Sequence, residues 1–108
     1  MEKFAVGDVA LVTFPFSNLK GKKIRPAFVL AYSEFENLIL CQITSKPYSS
    51  KTAIRIEASD FAEGQLPVIS FVRPDKLFTA DKLIIKGVAG KLKFEVKKTI
   101  LQKVQSLF

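Results

Sequence analysis

Histidine is absent from this chain of 108 residues, and cysteine occurs once, as Cys41. Without histidine, general acid-base work near neutral pH falls to a carboxylate with a raised pKa, a lysine with a lowered one, or the substrate itself. A lone thiol supplies neither an internal disulfide nor a cysteine-based metal cage, so zinc chemistry and His-based triads are excluded. Long hydrophobic runs are missing too. The longest, Pro26 to Tyr32, has seven residues, far short of the roughly 20 that a spanning helix needs, and no membrane span is expected. The first residues lack an apolar stretch followed by a small-residue cleavage site, which points to the cytoplasm. There is no G-x-x-x-x-G-K-[ST] loop, and Asp75 and Asp81 stand apart without metal-like clustering. The expectation is therefore a chain with no metal and no cofactor.

What is present is a core and a positive charge. Hydrophobic residues make up 48% of the sequence and charged ones 25%, enough apolar surface to fold and a length that suits one domain over residues 1–108. The net charge is +7, which favours polyanions such as nucleic acid, or acidic protein segments. No acidic residue falls between Asp8 and Glu34, while Lys20, Lys22, Lys23 and Arg25 crowd into six positions. Such a patch reads either as a polyanion contact or as a solvated loop that aids solubility.

The pattern is mostly of strands. Asp8 to Phe14 is rich in β-branched and aromatic residues, whereas Pro15 to Ile24 contains Pro, Ser, Asn and Gly and reads as a surface loop carrying the basic cluster. Arg25 to Tyr32 and Leu38 to Thr44 form a hairpin across a polar turn. On the latter strand Ile39, Cys41 and Ile43 share one face and Leu38, Leu40, Gln42 and Thr44 the other. Cys41 thus reads as a small buried hydrophobe rather than a nucleophile. Ile54 and Ile56 alternate with Arg55 and Glu57 in Thr52 to Glu57, the mark of a half-buried strand. An irregular link leads to a strand at Val68 to Arg73, which Leu77 to Thr79 extends or pairs with beyond Pro74, and a helical turn is assigned to Asp81 to Ile84. From Phe94 to Phe108, the apolar positions Val96, Ile100, Leu101, Val104, Leu107 and Phe108 recur at helical spacing, with Lys97, Lys98 and Lys103 on the wet face. The fold class is mainly β with some α: a small, strongly bent barrel of five to seven strands closed by a terminal helix.

Arg25 is the most suggestive single residue. Pro26 holds it in an extended backbone where loop enters strand, and a guanidinium so based can grip two phosphate oxygens and keeps its charge. An ion pair with a surface carboxylate is the other reading of the same residue. Phe14 and Phe16 flank the basic segment and suit either stacking on unpaired bases or burial in a core or dimer contact.

Gly7-Asp8-Val9, Phe14-Pro15-Phe16, Arg25-Pro26-Ala27-Phe28-Val29-Leu30, Ile43-Thr44-Ser45 and the segment Ser70 to Lys82, in this order and spacing, resemble the MazF/PemK family of type II toxin-antitoxin toxins. The resemblance covers nearly the whole chain. It implies an SH3-like barrel, a homodimer, single-stranded RNA as substrate of a metal-independent endoribonuclease, and a cognate antitoxin whose flexible, often acidic segment covers the RNA groove. Arg25 and Thr44 match the residues most regularly assigned to the family's active site. Arg73 and Asp75 match an Arg-x-Asp pair that serves catalysis in one branch. Phe16, Lys20, Lys22 and Lys23 of the basic segment, with Ser45 beside Thr44, are then the candidate substrate contacts. Some members use a histidine in the first loop, which this chain lacks.

The implied reaction is attack of the substrate's 2′-hydroxyl on phosphorus, leaving a 2′,3′-cyclic phosphate and a 5′-hydroxyl. In it Arg25 would neutralise the non-bridging oxygens and Thr44 donate a hydrogen bond. Asp75 serves as base or, alternatively, as a turn carboxylate satisfied by backbone N–H groups; Arg73 positions phosphate or pairs with Asp75. Two other readings of the same barrel remain open: a non-enzymatic toxin that poisons gyrase by protein contact, and an RNA-binding barrel that does not cleave.

Overall fold

A computed structural model describes residues 4–15, 22–33, 36–46 and 51–108; of Phe14, Pro15 and Lys22 it describes the backbone. The strands are β1 (Asp8–Pro15), β2 (Lys22–Tyr32), β3 (Asn37–Thr44), β4 (Ile54–Ile56), β5 (Phe61–Gly64), β6 (Ser70–Asp81) and β7 (Ile85–Leu92), followed by α1 (Phe94–Leu107). They form one curled antiparallel sheet in the order β4-β6-β3-β2-β1-β7-β5. The expected bent, mainly β architecture with a terminal helix is what the chain adopts.

Every strand contributes to the interior of the curl: Val9, Phe28, Cys41, Ile43, Ile56, Phe61, Val72 and Leu92 meet there, and α1 adds Ile100 and Val104. The helix plugs the concave side because its apolar stripe faces inward. Burying each large side chain contributes about 1.5–3 kcal/mol. A second cluster covers the opposite face of the central strands, with Ala10, Val12, Ala27, Val29, Leu38 and Leu40. The two faces of β3 divide as its alternation requires.

Several elements differ from the sequence pattern. The basic segment is not a loop from Pro15 to Ile24: Pro15 pairs with Lys22, Phe14 with Lys23 and Thr13 with Ile24. Hairpin pairing with an already apolar β1 carries Lys22 and Lys23 into β2, against the local turn composition. Residues 16–21, which include Phe16 and Lys20, lie outside the described residues. The irregular link contains β5, and β7 follows the 3-10 turn Lys82–Ile84, whose N-cap Asp81 accepts from the Leu83 N–H at 2.8 Å. The expected strand from Val68 begins at Ser70 instead and runs unbroken past Thr79 to Asp81 as β6, bulged where Cys41 pairs with Leu77 and Gln42 with Arg73. Pro74, which has no N–H to give a ladder, sits buried in that bulge.

The Gly7-Asp8 opening is a structural clamp. Gly7 has φ +98° and its N–H donates to Val29 O at 3.0 Å, while the buried Asp8 carboxylate accepts from Ala5 N–H at 2.9 Å and pairs with Lys91 at 3.4 Å. A Cβ on Gly7 would stand 2.5 Å from Lys97 Cδ. Lys97 is therefore not simply on the wet face: its stem packs over Gly7, and its ammonium lies 5.6 Å from the centre of the Phe94 ring.

Candidate active site

Pro26 organises the site. Val29 O turns toward β1, where it accepts from Gly7 N–H. Backbone groups alternate in direction along an antiparallel strand, so residue 26 directs its nitrogen toward β3. That nitrogen carries no hydrogen. The β2–β3 ladder accordingly ends at Ala27–Gln42, although β2 continues its pairing with β1 through Arg25–Val12 and β3 its pairing with β6 through Thr44–Phe71. Two strands held firmly on their outer sides part between them. The β2–β3 register carried two residues onward sets Arg25 against Thr44, one on each side of the fork.

A cleft of about 500 Å³ lies at this fork, and Arg25, Thr44, Ser45 and Lys23 all line it. Lys46 adds a third cation, and no carboxylate is among the described lining residues. Leu66, Pro67 and Val68 form a further wall, pinned where the Ser70 hydroxyl donates to Val68 O at 3.0 Å. Ile24 and Val68 leave apolar surface exposed at the rim.

Arg25 and Thr44 are both half-buried, held by rigid strands yet open on the cleft side. The Thr44 hydroxyl oxygen accepts from the Lys46 N–H at 3.2 Å. An accepting hydroxyl retains its own proton for donation, so this turn leaves Thr44 able to donate to an anion. The chemistry favoured is binding of a negatively charged, planar or tetrahedral group between a guanidinium and a hydroxyl, in a setting of positive charge.

Arg73 and Asp75 are placed differently. Arg73 pairs across from Gln42, on the β3 face that carries Thr44, but neither it nor Asp75 lines the cleft. The two bind each other instead: Arg73 Nη2 donates to Asp75 Oδ2 at 3.0 Å and Nε to Oδ1 at 3.4 Å. Of the other candidates, Lys22 is described in its backbone alone, and Phe16 and Lys20 fall outside the described residues.

Sequence reasoning missed two contributors to the cleft. Lys46 directly follows the Thr44-Ser45 motif, a signal that was available. The wall at Leu66 to Val68 comes from a segment without regular pattern. Outside the cleft, the buried side-chain oxygen of Gln42 has no hydrogen-bond partner among the described residues, which only packing reveals. Cys41 lies beneath this surface, fully buried, its thiol pushed from an ordinary 9.0 up to about 12 by burial and secondarily by the negative charge of Asp75. It is held neutral and inert.

A curled antiparallel sheet plugged by its terminal helix, with a cationic cleft where β2 and β3 part, defines the class. The chain belongs to the family described as PemK-like, MazF-like toxin of type II toxin-antitoxin system, which it matches over residues 5–108. Among solved structures it is similar to MazF (Form-I) from Deinococcus radiodurans, with TM-score 0.70 and 19% identity, covering 94% of this chain and 93% of that one. It is also similar to MazE-MazF (Form-III) from the same organism, with TM-score 0.73 and 20% identity over 94% and 92% of the two chains. A third likeness is to an endoribonuclease in complex with its cognate antitoxin from Mycobacterial species, with TM-score 0.71 and 14% identity over 98% and 93%. At these identities the likeness is one of fold. No curated protein matches the chain by sequence.

Proposed function

We propose that this toxin is a metal-independent endoribonuclease that cuts single-stranded RNA at the Arg25–Thr44 fork. The observation that carries the reading is the meeting of a strand-held guanidinium and a hydroxyl able to donate in one cleft free of described carboxylates. The substrate supplies the nucleophile. Its 2′-oxygen bonds to phosphorus as the P–O5′ bond breaks, giving a 2′,3′-cyclic phosphate and a 5′-hydroxyl. The 2′-hydroxyl proton passes to water and the 5′-oxygen takes one from water. Arg25 neutralises the two non-bridging oxygens as charge grows on them, and Thr44 donates to one of them, fixing the phosphate for in-line attack. Lys23, Ser45 and Lys46 hold the flanking strand. Arg73 and Asp75 belong in this reading to the neighbouring stretch of RNA, across Gln42, rather than to the reacting phosphate.

The partners follow from the same chemistry and from the complexes formed by similar proteins. A cognate antitoxin with an acidic, extended segment would occupy the cationic cleft and exclude RNA, and the working form is a homodimer. Incubation of the purified protein with end-labelled single-stranded RNA in EDTA separates the readings. Cleavage to cyclic-phosphate ends supports the nuclease. Binding without cleavage would favour an RNA-binding barrel, and neither outcome a toxin that acts on a protein such as gyrase. RNA with a single 2′-deoxy residue at the cut site should resist, and its cleavage at the same bond would reject the mechanism.

A further inference from the structure

A second cavity, of about 440 Å³, opens between β4 and the C-terminal half of α1. Lys51 and Lys103 line it together with Thr52, Ala53, Ile54, Thr99, Gln102 and Ser106. No carboxylate is among the described lining residues. The hydroxyls of Thr99 and Ser106 already donate to helix carbonyls, at Glu95 O (3.0 Å) and Lys103 O (2.8 Å). The donors that remain for a ligand are the two ammonium groups and the Gln102 amide, a set that suits an anion.

The groove is a close neighbour of the cleft. Ile54 pairs with Val72, and Ser70, two residues along β6, lines the cleft, a separation of about 7 Å at the usual strand rise. One connection also links them, because Ser45 and Lys46 line the cleft and Lys51 to Ala53 line the groove. Lysines thus mark both ends of the same segment.

We propose that this groove is a second phosphate-binding subsite, which takes the backbone of the RNA strand beyond the cut; the proposal rests on the ribonuclease reading. The groove carries two lysines and no described carboxylate, so it continues the positive charge of the neighbouring cleft. A phosphodiester backbone requires only well-placed cations and amides. The subsite adds affinity for long substrates and takes no part in the chemistry at Arg25 and Thr44.

The test compares the native protein with Lys51→Gln/Lys103→Gln on two substrates: a long single-stranded RNA and the shortest fragment of it that the native protein still cuts. On the long RNA, KM should rise by about tenfold with kcat unchanged, and the salt slope of binding should fall by roughly 1.4 for two lost contacts. On the short fragment, kinetics should match the native protein, and Lys51→Arg/Lys103→Arg should restore the long-RNA KM. An unchanged KM and salt slope on the long RNA would overturn the subsite. Weakened binding of an acidic peptide with unaltered RNA kinetics would overturn it in favour of a protein partner. RNA left intact by the native protein would instead bring down the ribonuclease reading, and this subsite with it.

Discussion

Arg25 and Thr44 stand at matched positions on β2 and β3 immediately past Ala27–Gln42, the last bridge between those strands, and both line the cleft that opens there. Pro26 is the cause of that relationship, since a residue with an N–H at this position would continue the ladder and close the fork. Arginine and threonine are thereby aimed into one space by backbone pairing on their outer sides, without a flexible loop to carry either.

Thr44 is argued to act through its hydroxyl proton, which the Lys46 N–H contact leaves available. Thr44→Val should lower the cleavage rate constant by about 10²-fold, in the range for loss of one transition-state donor. Thr44→Ser should keep most of the activity. Single-turnover assays on one RNA measure both, and equal rates for Thr44→Val and the native protein would remove the hydroxyl from the mechanism.

Cys41 is predicted to be silent in function and visible in stability at high pH. Its thiol ionises near 12 in the folded chain, against 9.0 ordinarily, so between these values the unfolded chain has lost a proton that the folded one retains. Stability from this group is present below pH 9 and is lost as pH rises through that window, with a slope approaching about 1.4 kcal/mol per pH unit. Urea titrations from pH 8 to 11 should reveal a steeper decline for the native protein than for Cys41→Val. At pH 8 the native thiol should resist alkylation, and rapid modification without unfolding would contradict its burial.

Much of this was legible in the sequence, for reasons that differ from element to element. The division of Cys41 and Ile43 from Gln42 and Thr44 in β3 was legible because successive side chains of a strand point to opposite faces. The hairpin start of β2 was not legible, since Lys22 and Lys23 carry no strand signal and their place is set by Phe14 and Pro15 across the ladder. Nor was β7, with glycines at 87 and 90 and lysines at 86 and 91. Gly90 is there for contact: a Cβ on it would lie 2.4 Å from Glu63 O, so glycine lets β5 approach β7. At the site, motif and chemistry pointed to Arg25 and Thr44. The Leu66 to Val68 wall and the placing of Arg73 with Asp75 outside the cleft depend on three-dimensional packing that no local pattern encodes.

Gln42 carries a buried carbonyl oxygen with no partner among the described residues, and an unmet acceptor costs about 1–3 kcal/mol. Gln42→Met keeps the shape and removes the acceptor, so it should raise stability by roughly 1 kcal/mol, a gain of about 4–8 °C in Tm for a domain of this size. Calorimetry reads this directly. A lower Tm would mean that the oxygen has a donor in the folded protein.

Asp8 works in the opposite sense. Its carboxylate, 3% exposed, accepts from Ala5 N–H and meets Lys91. Asp8→Ala removes the charged acceptor of the Ala5 N–H together with the partner of Lys91, and should cost about 1–3 kcal/mol in urea unfolding. A change below about 0.5 kcal/mol, the scatter expected of ordinary surface substitutions, would show the clamp to be dispensable.

The most direct test of the central claim is the single-turnover rate of Arg25→Ala against the native protein on one end-labelled RNA in EDTA, with matched thermal melts. The account predicts an unchanged melt and a rate lower by about 10²- to 10³-fold. Cleavage by Arg25→Ala at the native rate, with the same cyclic-phosphate ends, would contradict it.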